Sequence, residues 1–577
     1  MTRNGYIDSF ENGSEIIVWE RDKNRKLIRK AYQSSDYCYC YVPSNKEEVW
    51  DGFDIHGNKL RKMQFKNRFD LNQFARSRSN TVESDVPLKY RILQDEYSNC
   101  DASTPLNIIF YDIEVKFDLN DGLGYPEPSN PYGEINMFQL YDVAQKSYVL
   151  FTLTKDVVVE DEDEGIDVHV IDCSSEIELL RYVSEYLRDV DVMTGWNTEG
   201  FDIPYIMARS MILFGEDEAL RMYCKEGYKA RKREFIDEYG NEAISYELIG
   251  IQNIDMMQDY KKFIPSEKKS FALGAVTEED LGITKEEYDG DLGSLFFENP
   301  RLFMKYGLRD VQLLKWLDEK HKIMDLVVKM TRDSCVMCRD ATGSVKLIEY
   351  DLMKFCHKKN IMLPDHASNV KEKYDGAVVY DTISGRHGWS GSVDLRSLYP
   401  FCMILLGLSP ETMRYQLKGE YEDYVHVITR DDSHGVVDFY DIQTGEEYQG
   451  LPSQVMDIIE SEGFTISGAG TIFDGSLGLL AEYVQDGFAL RSYYKKKMAE
   501  CYNAGDTAGG DMYDLYQKVV KVARLNAVYG ASGNENFRMY DLRLAKSITL
   551  TAQVISKQQA FAANQYIEDY LENLEAA

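Results

Sequence analysis

The chain has no apolar run long enough to cross a bilayer: the stretch at 402–406 falls far below the roughly 20 residues a spanning helix needs. Its N-terminus is polar and lacks the apolar stretch of a signal peptide, so the expectation is a soluble, intracellular chain. Cysteine is scarce, ten in 577 residues, which excludes a disulfide framework. Cys335 and Cys338 form one CxxC with no second pair beside it, a weak zinc or redox signal that reads first as two buried thiols. Cys38 and Cys40 alternate in an aromatic strand pattern and share one sheet face. Basic residues are also short, 65 against 97 acidic, for a net charge of −32. That excludes a protein that coats nucleic acid through an overall basic surface. It leaves room for a local basic groove, or for carboxylates that hold cations. There is no repeat of solenoid period and no low-complexity linker.

What is present is length and a mixed pattern. A chain of 577 residues implies about three to five domains. At 44% apolar residues, wholesale disorder is excluded. Residues 1–100 read as β-rich, with strands at 15–20, 26–33 and 37–42. Basic residues gather at 21–30 and at Arg61, Lys62, Lys66, Arg68, Arg76 and Arg78, a solvated face before a nucleic-acid contact. From 105 to 320 strands alternate with helices: strands at 107–115 and 168–172, helices at 174–189 and 299–322. The acidic run 160–164 reads as a solvated loop, and 236–249 as a β-hairpin around Gly240. Beyond 380 a strand leads into Asp394. Helices follow at 479–504, at 512–529 after a glycine-rich break (505–510), and from 544 onward.

Three short segments carry acids in a chemically pointed arrangement. In the strand Phe110-Tyr111-Asp112-Ile113-Glu114-Val115, positions i and i+2 share a face, so Asp112 and Glu114 stand side by side. Like charges this close are unfavourable unless a cation lies between them, and carboxylates suit hard ions such as Mg²⁺ or Mn²⁺. The segment Asn197-Thr198-Glu199-Gly200-Phe201-Asp202 offers a turn and then an acid at a helix start. Tyr306 and Asp310, at i and i+4, share a helix face. Each piece alone is common; the three in this order are not. Together they resemble the DIE, N-x3-F-D and Y-x3-D motifs of the 3′→5′ proofreading exonuclease of family B DNA polymerases. The resemblance implies an RNase H-like domain in which Asp112, Glu114, Asp202 and Asp310 hold two metal ions. It also implies that Tyr306 orients a water and that Asn197 and Phe201 shape the single-stranded 3′ end. A hairpin near Gly240 sits where that family uses one to move a primer end.

A second set follows. Asp394-Leu395-Arg396-Ser397-Leu398-Tyr399-Pro400 is an acid at a strand end, then a turn whose Ser397–Tyr399 N–H groups are available to phosphate oxygens, with the Tyr399 ring able to floor a pocket. It resembles motif A, D-x-x-S-L-Y-P, of the same family, in which the tyrosine selects deoxynucleotides. Arg491 and Lys495 stand at i and i+4 on one helix face, repelling unless an anion faces them. They resemble the fingers R-x3-K that grips a triphosphate. Asn526-Ala527-Val528-Tyr529-Gly530 resembles motif B, K-x3-N-S-x-Y-G, with two departures: Ala527 replaces the serine, and Val522 stands four before Asn526 in place of the lysine. Lys521 or Lys518 could serve, with Lys521 favoured. The implied nucleotide-binding set is Leu395, Ser397, Leu398, Tyr399, Arg491, Lys495, Lys521, Asn526 and Tyr529.

The third palm motif, Y-x-D-T-D, occurs nowhere, and Gly505-Asp506-Thr507 lacks its second acid. One acid, Asp394, cannot hold two metals for phosphoryl transfer. The fold class that the βα pattern and the resemblance imply is α/β and α+β multidomain. Its parts are an N-terminal β-rich domain (1–104, returning at 339–380), an RNase H-like exonuclease domain (105–338), a partial palm (381–474), short helical fingers (475–543) and the start of a second palm segment (544–577). The expected function, in the T4-like phage branch, is the large N-terminal subunit of a split replicative polymerase. It would use two Mg²⁺ or Mn²⁺ per site and bind primer-template DNA, a single-stranded 3′ end and dNTP. A second polypeptide would bring the Y-x-D-T-D motif and thumb, with a sliding clamp reached through it, in the cytoplasm of an infected bacterium. The competing readings are a stand-alone 3′→5′ exonuclease with a vestigial polymerase half, and a non-enzymatic nucleic-acid scaffold.

Overall fold

The structure is a computed structural model that describes residues 3–44, 49–101, 103–117, 124–236, 240, 242–264, 267–288, 292–370, 376, 384–386, 394–419 and 421–575; at 421, 422 and 568–575 only the backbone is described. It divides into two compact units. One comprises 1–38 and 87–342, the other 39–86 and 343–577. These cuts are coarser than the six sequence segments, and they join the first 38 residues to the exonuclease region.

In the first unit, Gly5–Asn12, Glu15–Arg21 and Leu27–Gln33 form an antiparallel sheet in that order. The first of these strands was not read from the sequence. The main sheet has six strands in the order Val168–Asp172, Ser147–Thr152, Ile135–Asp142, Ile108–Val115, Val192–Gly195 and Gln252–Asp255. Ile108–Val115 is central. It runs antiparallel to Ile135–Asp142 and parallel to Val192–Gly195. A central strand is covered on both faces, which explains its near-continuous run of β-branched and aromatic residues. A register shift between Glu114 and Val115, a bulge, lies beside the two acids it carries. Two glycines let neighbouring elements close in on this strand and on its partner Ile135–Asp142. A Cβ at Gly195 would meet the Tyr111 carbonyl oxygen at 2.4 Å. A Cβ at Gly307, in the helix Pro300–His321, would meet Met137 Cε at 2.3 Å and Gln139 Cδ at 3.1 Å.

The acidic run is not a free loop. Asp161 is buried and accepts from the Gln312 amide at 2.7 Å, while Glu162, Asp163 and Glu164 pair with Lys305, Arg309 and Lys315. The reason is periodicity: those four partners lie along one helix and meet the run as it passes. The first basic cluster is likewise internal in part. The Arg21 guanidinium is buried against Asp189 and Asp191, at 2.8 Å from each. Arg25 donates to the Leu106 carbonyl at 2.8 Å, and Arg29 pairs with Glu226. Cys335 and Cys338 are buried, as are Cys38 and Cys40. The hairpin is Arg231–Ile236 with Glu242–Glu247; its tip, apart from Gly240, lies outside the described residues.

In the second unit, Tyr39–Pro43, Lys59–Gln64 and Gly52–Phe53 form a small sheet in that order. Here the basic residues have local tasks: Lys62 Nζ lies 3.5 Å from the Tyr39 ring centroid, and Arg68 donates to the Val86 and Asp85 carbonyls. A five-stranded antiparallel sheet is ordered Glu447–Gly450, Val437–Asp441, Met413–Leu417, Thr471–Phe473, Thr465–Ile466. Beneath it lies a core that includes Leu417, Val427, Phe439, Val455, Ile459 and Ile472. Helices Leu479–Asn503 and Thr507–Val520 form a hairpin, and Leu542–Glu575 closes the chain. The strand expected to lead into Asp394 lies outside the described residues.

An ionic cluster centred on the buried Arg538 and Glu349 joins distant segments of this unit. Arg538 donates to Asp85 at 2.6 Å, to Glu349 at 3.1 Å and to the Pro364 carbonyl at 2.7 Å. His366 bridges the same two acids through Nδ1 (2.5 Å to Asp85) and Nε2 (2.8 Å to Glu349). No helix among the described residues is long and apolar enough to cross a membrane.

Candidate functional site

Asp112, Glu114 and Asp310 converge in the first unit, each offering a carboxylate oxygen within 4.8 Å of the others. Two come from the central strand and one from the helix Pro300–His321. Asp202 opens the helix Asp202–Phe214 and is buried, with Oδ1 lacking any hydrogen-bond partner; Asp310 Oδ1 is likewise unpartnered. Burial and then mutual repulsion set the electrostatics. The Asp112 carboxyl is pushed up to about 7 by loss of water and by Asp310. Glu114 and Asp202 are raised well above the carboxylate range by burial and then by Asp112. Unpartnered buried oxygens on converging acids fit divalent cations held by hard oxygen donors. These residues therefore suit the metals that the sequence implies.

Two further residues belong to this cluster and were not read from the sequence. Gln139 sits directly opposite Asp112 in the paired strand, and its amide donates to Asp112 at 3.0 Å and to Glu114 at 3.3 Å. Its signal was available: a polar side chain between Phe138 and Leu140 in the run INMFQLYD, every residue of which is buried. Lys285 donates to Asp310 at 2.7 Å and to the Tyr306 hydroxyl at 3.1 Å. Burial opposes its charge, but Asp310, Tyr306 and Asp112 outweigh that and hold the ammonium above the ordinary lysine range. It lies outside any regular element, where periodicity gives no cue. Tyr306 and Asp310 do share a face, and Lys285 holds both.

Around the acids, Asn197 adopts a left-handed backbone (φ 63°) and is exposed, in the turn after Val192–Gly195. Its N–H donates to Asp255 at 3.1 Å, and the same Asp255 caps the helix Met256–Phe263. Phe201 is half-buried, 6.0 Å from the ring of Tyr125 and 5.2 Å from that of Tyr205. Tyr125 is exposed, and its phenol is raised to about 12 by burial of the hydroxyl and by the fields of Glu114, Asp112 and Asp202. It extends the aromatic surface beside the acids.

In the second unit Asp394 is exposed and belongs to no group of three or more possible metal ligands among the described residues. Leu395 and Leu398 are half-buried. Ser397, left-handed at φ 57°, turns the chain into the helix Leu398–Leu406. The ring of Tyr399 lies 4.5 Å from that of Tyr529. Arg491 and Lys495 both lie on Leu479–Asn503, Asn526 is exposed, and Lys521 precedes it in a distorted helical turn. Lys518, the other candidate, pairs with Asp514 at 2.8 Å.

The first unit is thus a mixed α/β domain with a carboxylate cluster suited to divalent cations, joined in one chain to an α+β unit. Comparison with known proteins gives the family. Residues 53–276 match the profile "DNA polymerase family B, exonuclease domain", and residues 340–576 match "DNA polymerase family B". The chain belongs to DNA polymerase family B. It is 25% identical to the DNA-directed DNA polymerase of Escherichia phage RB69, over 98% of this chain and 67% of that one. With that of Enterobacteria phage T4 the figure is 26%, over 65% of this chain and 44% of that one. The fold resembles a family B DNA polymerase from Pyrobaculum calidifontis, with TM-score 0.69, 18% identity, and coverage of 98% of this chain and 72% of that one.

Proposed function

We propose that this chain is a 3′→5′ exonuclease for single-stranded DNA ends and carries the nucleotide-binding part of a replicative DNA polymerase. The observation that carries the reading is the convergence of Asp112, Glu114 and Asp310 within 4.8 Å, beside a buried and unpartnered Asp202 oxygen. Mg²⁺ or Mn²⁺ held by these four acids would supply an activated water and offset charge on the leaving oxygen. The chain's own groups do the positioning. Lys285 holds Tyr306 and Asp310 in one arrangement, and the Tyr306 hydroxyl orients the attacking water. Gln139 keeps Asp112 and Glu114 aligned. Phe201 and Tyr125 offer rings to the terminal bases, and Asn197 contacts the 3′ nucleotide.

In the second unit Asp394 supplies one of the acids that phosphoryl transfer needs, the turn Leu395–Tyr399 receives the sugar and phosphates, and Arg491, Lys495 and Lys521 bind the triphosphate. DNA synthesis then requires a segment with the Y-x-D-T-D acids, which the 577 residues do not contain. A second polypeptide with that motif and a thumb, reaching a sliding clamp, would meet the requirement. The second reading, a stand-alone exonuclease, is favoured by an exposed Asp394 that belongs to no group of three or more possible metal ligands among the described residues.

With Mg²⁺, the protein should shorten 5′-labelled single-stranded DNA from its 3′ end, and Asp112→Ala should not; a wild-type chain without nuclease activity refutes the reading. Primer extension should appear when a polypeptide bearing Y-x-D-T-D is added, and vanish with Asp394→Ala. Nuclease activity that persists without any reconstituted extension supports the stand-alone reading instead.

A further inference from the structure

The stretch 512–529, expected as part of one continuous helix, is broken: the helix Thr507–Val520 passes into a π-helical turn, Lys521–Asn526, before Ala527–Ser532 resumes. An α-helix rotates about 100° per residue, so two residues five apart would stand on different sides. A π turn closes i→i+5, one residue more than an α turn, and residues five apart return to one face. Lys521 and Asn526 are five apart, and both are exposed while Ala523 and Leu525 between them are buried. The turn absorbs the one-residue slip that separates Lys521 from the position four before Asn526.

The neighbouring cations are already engaged. Lys518 pairs with Asp514. Arg524 pairs with Asp351 at 2.6 Å and Asp486 at 2.7 Å, its guanidinium 4.8 Å from the Tyr483 ring centroid. Lys521, Lys495 and Arg396 have no carboxylate partner among the described residues, and Arg491 donates only to a neutral acceptor, Gln517 Oε1, at 3.2 Å. The ring of Phe401 lies 5.1 Å from that of Phe488, which sets the helix after Arg396 against the helix that carries Arg491 and Lys495, and the Arg491–Gln517 hydrogen bond ties that second helix to the one that leads into Lys521. Lys495 is held below the ordinary lysine range by Arg491 first, then by burial, Arg396 and Lys521. Arg396 reaches this group from the turn between Asp394 and the helix Leu398–Leu406, beside the left-handed Ser397. Unpaired cations gathered at one place repel, and a polyanion reverses the sign of that energy.

We propose that Arg396 completes a four-cation site with Arg491, Lys495 and Lys521 for the phosphate chain of a nucleoside triphosphate, and that the π turn is what brings Lys521 into it. The inference rests on the polymerase reading of this unit and adds a residue and a register device to it.

The test is calorimetric titration of the whole chain with dATP and, separately, with inorganic tripolyphosphate, both with Mg²⁺. Arg396→Ala and Lys521→Ala should each weaken both ligands about tenfold. The double variant Lys521→Val with Val522→Lys moves the ammonium one position, about 100° on a helix, and should weaken them equally. If Arg396→Ala binds within about twofold of wild type while Arg491→Ala does not, the fourth cation is refuted and the nucleotide-site reading stands. If the double variant binds like wild type, the register argument fails. If the wild-type chain binds neither ligand, the underlying reading fails with it.

Discussion

The two candidate sites are electrostatic opposites. The first unit gathers Asp112, Glu114 and Asp310, with Asp202 in the field of Asp112, where water is scarce, and Gln139 and Lys285 soften their repulsion. The second brings together four cations on the elements around one exposed acid, and no carboxylate among the described residues pairs with any of them. Each cluster is costly alone, and each names its missing ligand by sign: divalent cations for the first, a polyphosphate for the second. The −32 net charge therefore says little about either, because binding is decided by local charge that the sum hides.

The largest effect should come from breaking the acid cluster. Asp112→Asn should lower the single-turnover nuclease rate by at least about a hundredfold. In metal-free buffer the same variant should melt higher than wild type, since one of the mutually repelling charges is gone. Mg²⁺ should raise the wild-type melting temperature more than the variant's. A variant less stable than wild type in chelator would show that the acids do not repel as the geometry implies.

A smaller loss is expected from Lys285→Met. It touches no metal-site oxygen except through Asp310, yet it holds that acid and Tyr306 together. The nuclease rate should fall about tenfold, the size of a lost supporting contact, with DNA affinity nearly unchanged. An unaltered rate would leave Lys285 a packing residue only.

The two sites were not equally legible. The acids of the first lie at fixed offsets on regular elements, i and i+2 on a strand and i and i+4 on a helix, so period alone brings Asp112 to Glu114 and Tyr306 to Asp310. Gln139 needed knowledge of which strand pairs with which, and Lys285 comes from an irregular segment, so pattern could not place either. In the second unit the residue types were readable, but a helical wheel misplaces Lys521, because it assumes one period where the backbone changes period. The same limit hid the fates of Arg21 and of the acidic run. Composition marks a charge as solvated, while only the fold supplies Asp189 and Asp191, or the helix that carries Lys305, Arg309 and Lys315.

The ionic cluster that holds the second unit together offers a third test, by pH. Hydrogen bonds from His366 to Asp85 and Glu349 raise its imidazole from 6.5 to about 9. A raised pKa favours folding while the unfolded imidazole is also protonated, so the full contribution is present below about pH 6.5 and is lost as pH rises through about 9. His366→Gln should therefore lower the urea midpoint at pH 6, and the gap from wild type should narrow by pH 9.5. A constant gap across that range would mean that His366 acts through packing alone.

The smallest expected effect separates the two lysines that the sequence left in competition. Lys518 is 55% exposed and pairs with Asp514 at i−4 on the same helix. Such pairs contribute about 0.3–0.5 kcal/mol, so Lys518→Ala should lower stability by no more than that. Because its ammonium is already matched by a carboxylate, its removal should leave triphosphate affinity unchanged, whereas removal of the unmatched Lys521 should not. The control has force in both directions. If Lys518→Ala weakens triphosphate binding more than Lys521→Ala does, then Lys518 leaves Asp514 when ligand arrives, the π turn points the wrong lysine away from solvent partners, and the contrast between paired and unpaired cations that distinguishes this unit must be redrawn around Lys518.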